Sequence, residues 1–189
     1  MDSISLRDLA HELRQPLSTI EAIAYYLGMV LPRDDDKTHE QLDRLQRLVE
    51  QSNWILSNSL HLAETATPAR ERIDLEEIIA EAASSDPALR LELEGNCLVH
   101  ADLGMARALI ENVLTLFRQI AGETHPATVR TRKTGCGVML EIETQAPGFR
   151  SIAGGQLSLE CARRTVEAHS GSIEVRVEAD RAQLQVVLP

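Results

Sequence analysis

The sequence predicts an α+β protein: an N-terminal helical hairpin forming a dimeric four-helix bundle, followed by an α/β sandwich. Three observations carry that prediction. Leu6, Leu9, Leu13, Leu17, Ile20, Ala24, Leu27 and Leu31 recur in steps of three and four, the spacing of a bundle seam. A second stripe of the same period follows a short charged turn. Beyond Arg70 the long stripes give way to short alternating strands mixed with shorter helices.

The first helix ends at the turn Pro32-Arg33-Asp34-Asp35-Asp36-Lys37. The second then runs through Leu42, Leu45, Val49, Ser52, Leu56, Ser59 and Ala63, with Leu48, Ile55 and Leu62 beside them. So short a connection makes the pair antiparallel. One hairpin cannot cover seams this wide, whereas two related by a twofold axis can, so a homodimer is expected. Trp54, the one tryptophan, reads as a packing or interface residue.

The pattern changes at Thr67-Pro68-Ala69-Arg70, which divides a hairpin of residues 1–68 from a second domain of residues 69–189. Asp74 reads as an N-cap, with Glu76 and Glu77 in the first turn favouring the helix dipole. Alternation in Leu89–Leu93 predicts a strand, as does the short run Cys97–Val99. A helix spans about Asp102 to Ala121, and strands follow near 127–132 and 138–144. After a Gly/Pro loop come a helix near Leu157–Ala168 and two closing strands. The expected sheet is a largely antiparallel meander.

Composition narrows the function. At 189 residues, 43% of them hydrophobic, the chain can bury a real core as one or two small domains, and 3% aromatic content suits Leu/Ala-rich helices. A net charge of −10 argues against nucleic acid, whose backbone demands clustered Lys and Arg. No apolar run approaches the ~18–20 residues that span a bilayer and no signal peptide is evident, so a cytoplasmic protein with no membrane partner is expected. Cys97, Cys136 and Cys161 are odd in number and widely spaced; they read as small buried or half-buried hydrophobes rather than disulfides or metal ligands. His61, His100, His125 and His169 have no metal-ligand spacing and read as solvated positions.

His11 is different. It falls about 200° around the helix from both Leu9 and Leu13, so the seam faces inward and the imidazole faces water. An outward imidazole on a stiff helix, beside the carboxylate of Glu12, is a candidate nucleophile.

The run His11-Glu12-Leu13-Arg14-Gln15-Pro16-Leu17 resembles the phosphoacceptor box of sensor histidine kinases, His-Glu-Leu-Arg-x-Pro-Leu, on their dimerisation helix. The resemblance implies His11 as the nucleophile and Glu12 as the group that orients the ring and takes its proton. It implies a bend at Pro16, which lacks an N–H. Gln15 stands one turn past His11, where relatives that remove phosphate from a partner carry Thr or Asn. A receiver domain is expected to dock on the outward face near His11, against Arg14, Gln15, Ser18, Thr19 and Ala22.

The second half resembles the ATP-binding domain of that family in its order of elements and in the stretch Gly154 to Gly171. The nucleotide chemistry departs from the pattern. Leu116 stands where the family's metal-binding Asn belongs, Asn112 matching only an upstream Asn. Thr144 replaces the adenine-recognising Asp, and Gly148 alone survives of that box. Gln156 and Ser158 replace glycines in the phosphate path, and the lid between Gly148 and Gly154 shrinks to five residues. The expectation is therefore a histidine phosphotransfer protein that relays phosphate between a receiver-domain Asp and His11, binding no ATP or metal and relying on Mg²⁺ held by the receiver. Two alternatives stay open: a divergent ATP-dependent sensor kinase, and a non-enzymatic dimeric scaffold or inhibitor that pairs with true kinases.

Overall fold

Twenty-five residues of predominantly straight-chain and apolar type form α1, Leu6–Val30, unbroken through Pro16. In the computed structural model the described residues are 6–32, 35–63, 67–84, 86–121, 125–145, 155–178 and 180–189. The second helix, α2, covers Asp36–Ala63. Asp35 caps it: its carboxylate accepts from the Thr38 N–H at 3.2 Å and from the Thr38 hydroxyl at 2.6 Å. Those bonds hold its carboxyl below the usual Asp range. The helices run antiparallel, since Arg14 meets Ser57 while Ile20 to Leu27 share an apolar concavity with Leu42 and Leu45.

The expected inward seam is in fact two lines. Ala10 and Ala24 are buried and Leu17 and Leu31 half-buried, with Val49 buried on α2. Leu6, Leu9, Leu13, Ile20 and Leu27 remain 37–45% exposed. One neighbouring helix covers only part of so broad a stripe. His61 corrects another expectation: it is half-buried and has a polar partner.

Contacts divide the chain between Thr65 and Ala66 into two compact units. The second unit opens with a strand the sequence pattern missed. This is β1, Glu71–Asp74, paired antiparallel with β3, Leu98–Ala101. Between them lie α3, Leu75–Ala82, and β2, Leu89–Glu92. Asp74 caps α3 as expected, accepting from the Glu76 N–H at 3.0 Å. Then follow α4 (Leu103–Ala121), β4 (Ala127–Thr134), β5 (Gly137–Gln145), α5 (Gly155–Ala168), β6 (Ser172–Glu178) and β7 (Arg181–Leu188).

The main sheet has the order β2-β4-β5-β7-β6 and is mixed, because β2 runs parallel to β4. The meander proper is the antiparallel run from β4 to β6. Of its strands β4, β5 and β7 bury alternate residues while β6 is largely exposed: Val138, Leu140 and Ile142 on β5 lie beside Leu188, Val186 and Leu184 on β7. That face packs with Leu109, Ile110, Val113, Leu114 and Phe117 of α4 and Ala162 and Val166 of α5. The alternate positions carry charge instead, with Arg130 paired to Glu92 at 2.7 Å and to Glu143 at 3.4 Å.

Two sequence expectations change in this unit. His169 is buried rather than solvated, at 1% exposure. Cys136 is exposed, while Cys97 and Cys161 are buried. Glu76 does not face solvent at the helix start; it is buried at 8% exposure. Its carboxylate accepts from the Thr131 hydroxyl and from the Gly95 N–H. Burial works to raise its pKa, but bonds from Thr131, Gly95, Cys97 and Glu94 outweigh that and hold it below the usual Glu value. At the end of α5, Ser170 turns left-handed (φ 61°) and the Gly171 N–H returns to the Val166 carbonyl at 2.9 Å. A Cβ on Gly171 would collide with the Val187 carbonyl, so glycine is required there.

Candidate functional site

His11 sits in the second turn of α1 and is exposed, as are Glu12, Gln15, Ser18, Thr19 and Ala22. At about 100° per residue, His11, Gln15, Ser18 and Ala22 fall on one face, away from the line of Ala10, Leu17, Ala24 and Leu31 that packs on α2. Burying an apolar line on one side thus holds the imidazole outward on the other. The helix is the scaffold and the ring its exposed tool.

The polar group that meets the ring is Gln15, whose Nε2 lies 3.5 Å from His11 Nε2. Glu12 is about 100° away around the helix, and successive helical residues do not face each other. The Gln15 backbone carbonyl accepts from the Thr19 hydroxyl at 3.0 Å. Pro16 withdraws the N–H that would otherwise meet the Glu12 carbonyl, so the backbone beside His11 is short of one hydrogen bond.

Arg14 turns the other way. It is half-buried, and its guanidinium donates to Ser57 Oγ at 3.0 Å, joining α1 to α2. Nothing in the sequence period marks Ser57, forty-three positions on, as that partner. The exposed face itself is uncharged at Gln15, Ser18, Thr19 and Ala22.

In the second unit the positions expected to serve a nucleotide are largely packed away. Leu116 of α4 is 4% exposed. The Thr144 hydroxyl, at the end of β5, lies 3.2 Å from the carbonyls of both His125 and Gln145. Asn112 and Ser158 are buried and have polar partners. Gln156 is exposed near the start of α5. Gly148, Gly154 and the segment between them lie outside the described residues. Leu116 offers no donor to a metal, and a threonine hydroxyl engaged with backbone carbonyls is no adenine-binding carboxylate. These residues do not fit a magnesium nucleotide. Among the described residues no cluster of His, Cys, Asp or Glu is arranged to hold a metal ion, and no helix is long and apolar enough to cross a membrane.

No family model matches the chain. Among curated proteins it is 29% identical to the sensor protein kinase PmrB of Pseudomonas aeruginosa, over 96% of this chain and 44% of that protein. It is 27% identical to the sensor histidine kinase ZraS of Klebsiella oxytoca, over 88% of this chain and 41% of that one. The chain therefore spans less than half the length of these two relatives. Among solved structures, the histidine kinase AdeS of Acinetobacter baumannii superposes with a TM-score of 0.60 at 14% identity, covering 94% of this chain and 96% of AdeS. In sequence and in fold, the chain is similar to sensor histidine kinases, a helical hairpin followed by an ATPase-like α/β domain.

Proposed function

We propose that His11 is a phosphoryl acceptor of a two-component pathway, exchanging phosphate with the aspartate of a response-regulator receiver domain. The observation that carries this is the pairing of an outward, solvent-reachable His11 with a second unit in which buried Leu116 stands where a metal-binding Asn is expected. An acceptor that does not draw on bound nucleotide can take activated phosphate from an acyl phosphate on a partner. Phosphoramidate and acyl phosphate are close enough in energy for transfer in both directions. The receiver brings its own Mg²⁺ and much of the charge stabilisation for the transferring group. What this chain supplies is an oriented imidazole, and a surface for docking around Gln15, Ser18, Thr19 and Ala22.

The second reading is an ATP-dependent sensor kinase with a divergent nucleotide site. The similarity to PmrB, ZraS and AdeS favours it, since each of them is named a kinase. One experiment separates the two. The chain is incubated with radiolabelled Mg-ATP, and separately with a panel of receiver domains carrying labelled aspartyl phosphate. Label from receivers that is acid-labile and absent from His11→Ala supports phosphotransfer. Label taken from ATP establishes the kinase instead. A chain inert to both, yet binding a partner kinase, is a scaffold.

A further inference from the structure

The 3.5 Å approach of Gln15 Nε2 to His11 Nε2 has a chemical sense. An amide nitrogen only donates, so the ring nitrogen facing it must present a lone pair, and the proton of the neutral imidazole then resides on Nδ1. Arg14, the cation of the same turn, is engaged with Ser57, and Glu12 points about 100° away. Gln15 is thus the donor placed against the reactive edge of the ring.

We infer that Gln15 is a positioning residue for phosphoryl transfer: its amide selects the Nδ1–H tautomer of His11, so that phosphate forms on Nε2, and then donates to an oxygen of the phosphoryl group. This rests on the reading of His11 as the acceptor. In the step, the Nε2 lone pair forms the N–P bond as the bond from phosphorus to the aspartyl oxygen breaks. The aspartate carboxylate leaves with that electron pair, and the Nδ1 proton stays on the ring. The amide gives up the Nε2 lone pair as phosphorus approaches. The same reach then sets an N–H donor against an oxygen of the group bonded to Nε2, a charge-assisted hydrogen bond.

The test uses the full chain with ¹⁵N-labelled histidine at about pH 8.5, where an ordinary imidazole is neutral. Comparison with His11→Ala assigns the signal. Wild-type His11 should be predominantly Nδ1–H. Gln15→Met, which keeps helix propensity and length but has no donor, should relax toward an unrestrained mixture. Gln15→Glu, which replaces the donor by an acceptor, should move the ring toward Nε2–H. After phosphorylation by phosphoramidate, the wild-type adduct should lie on Nε2, and Gln15→Met should shorten its half-life roughly threefold to tenfold, the loss expected for one hydrogen bond. A wild-type ring that is predominantly Nε2–H overturns the inference, as does a Gln15→Met chain with unchanged tautomer and unchanged lifetime. A chain accepting phosphate from neither phosphoramidate nor receivers defeats the acceptor reading instead, while the tautomer measurement still decides what Gln15 does to the ring.

Discussion

The backbone N–H of Asp102 donates to Nε2 of the buried His169 across 2.9 Å, while the other ring nitrogen lies 2.7 Å from the Thr165 carbonyl. Asp102 is also the cap of α4, its carboxylate accepting from the Met105 N–H at 3.0 Å and the Ala69 N–H at 2.9 Å. One imidazole therefore fastens the end of α5 to the start of α4. His169→Ala leaves the Asp102 N–H without its acceptor and opens a void, so it should cost about 2–4 kcal/mol. Urea unfolding followed by circular dichroism should move accordingly. The fluorescence of Trp54, the chain's one tryptophan, lies on α2 and should report the hairpin separately.

Acid should loosen the second unit through Glu76. Its carboxyl is held below the usual Glu value by four hydrogen bonds despite its burial. A depressed carboxyl adds stability that is fully present above the unfolded-state value, about 4.5, and that is lost as pH falls through the lower folded value. Glu76→Gln should cost about 1–3 kcal/mol at pH 7, and the gap from wild type should close near pH 3. An equal gap at both pH values would show that the ionised form is not what matters.

Assembly should follow from Leu6, Leu9, Leu13, Ile20 and Leu27, whose exposure of 37–45% leaves an apolar line open along α1. Light scattering at micromolar concentration should give a dimer. Leu13→Asp should shift it to monomer, because a carboxylate buried unpaired in the interface is costly. A wild-type monomer would remove the four-helix bundle.

Restoring one family residue should not restore nucleotide binding. Leu116→Asn places an amide where the leucine is 4% exposed, so the main effect should be a loss of about 2–4 kcal/mol in stability. Neither it nor wild type should show a thermal shift with millimolar Mg-ATP. A clear shift in wild type would favour the kinase.

Transfer chemistry should separate from docking. His11→Ala should abolish phosphate acceptance with the fold intact, since the position is exposed. Ala22→Arg should weaken uptake from receivers while sparing uptake from a small phosphodonor, a difference read from initial rates with each.

Periodicity made the helices legible, since a stripe repeating every three or four residues has one structural meaning. It could not divide that stripe into covered and open positions, so Ala24 and Leu9 looked alike although one is buried and the other open. The cap at Asp74 was readable because capping is local; β1 was not, because four residues gain strand character only from β3. His169 was misjudged for the same reason, and the burial of Glu76 went unseen. Their partners Asp102 and Thr131 are 67 and 55 positions away, and no local pattern encodes such a bond. At the candidate site, the motif placed His11 and Gln15 a turn apart, but only side-chain geometry brings the amide to Nε2.

The division of α1 into separate faces bears on how this protein can change over generations. The apolar residues that face α2 and the residues around His11 occupy different sectors of one rod. Substitutions at Ser18 or Ala22 therefore leave Ala10 and Leu9 undisturbed. Paired changes drawn from different sectors should add in free energy, whereas pairs within one sector should not. Partner choice in such a helix can drift while its architecture stays fixed.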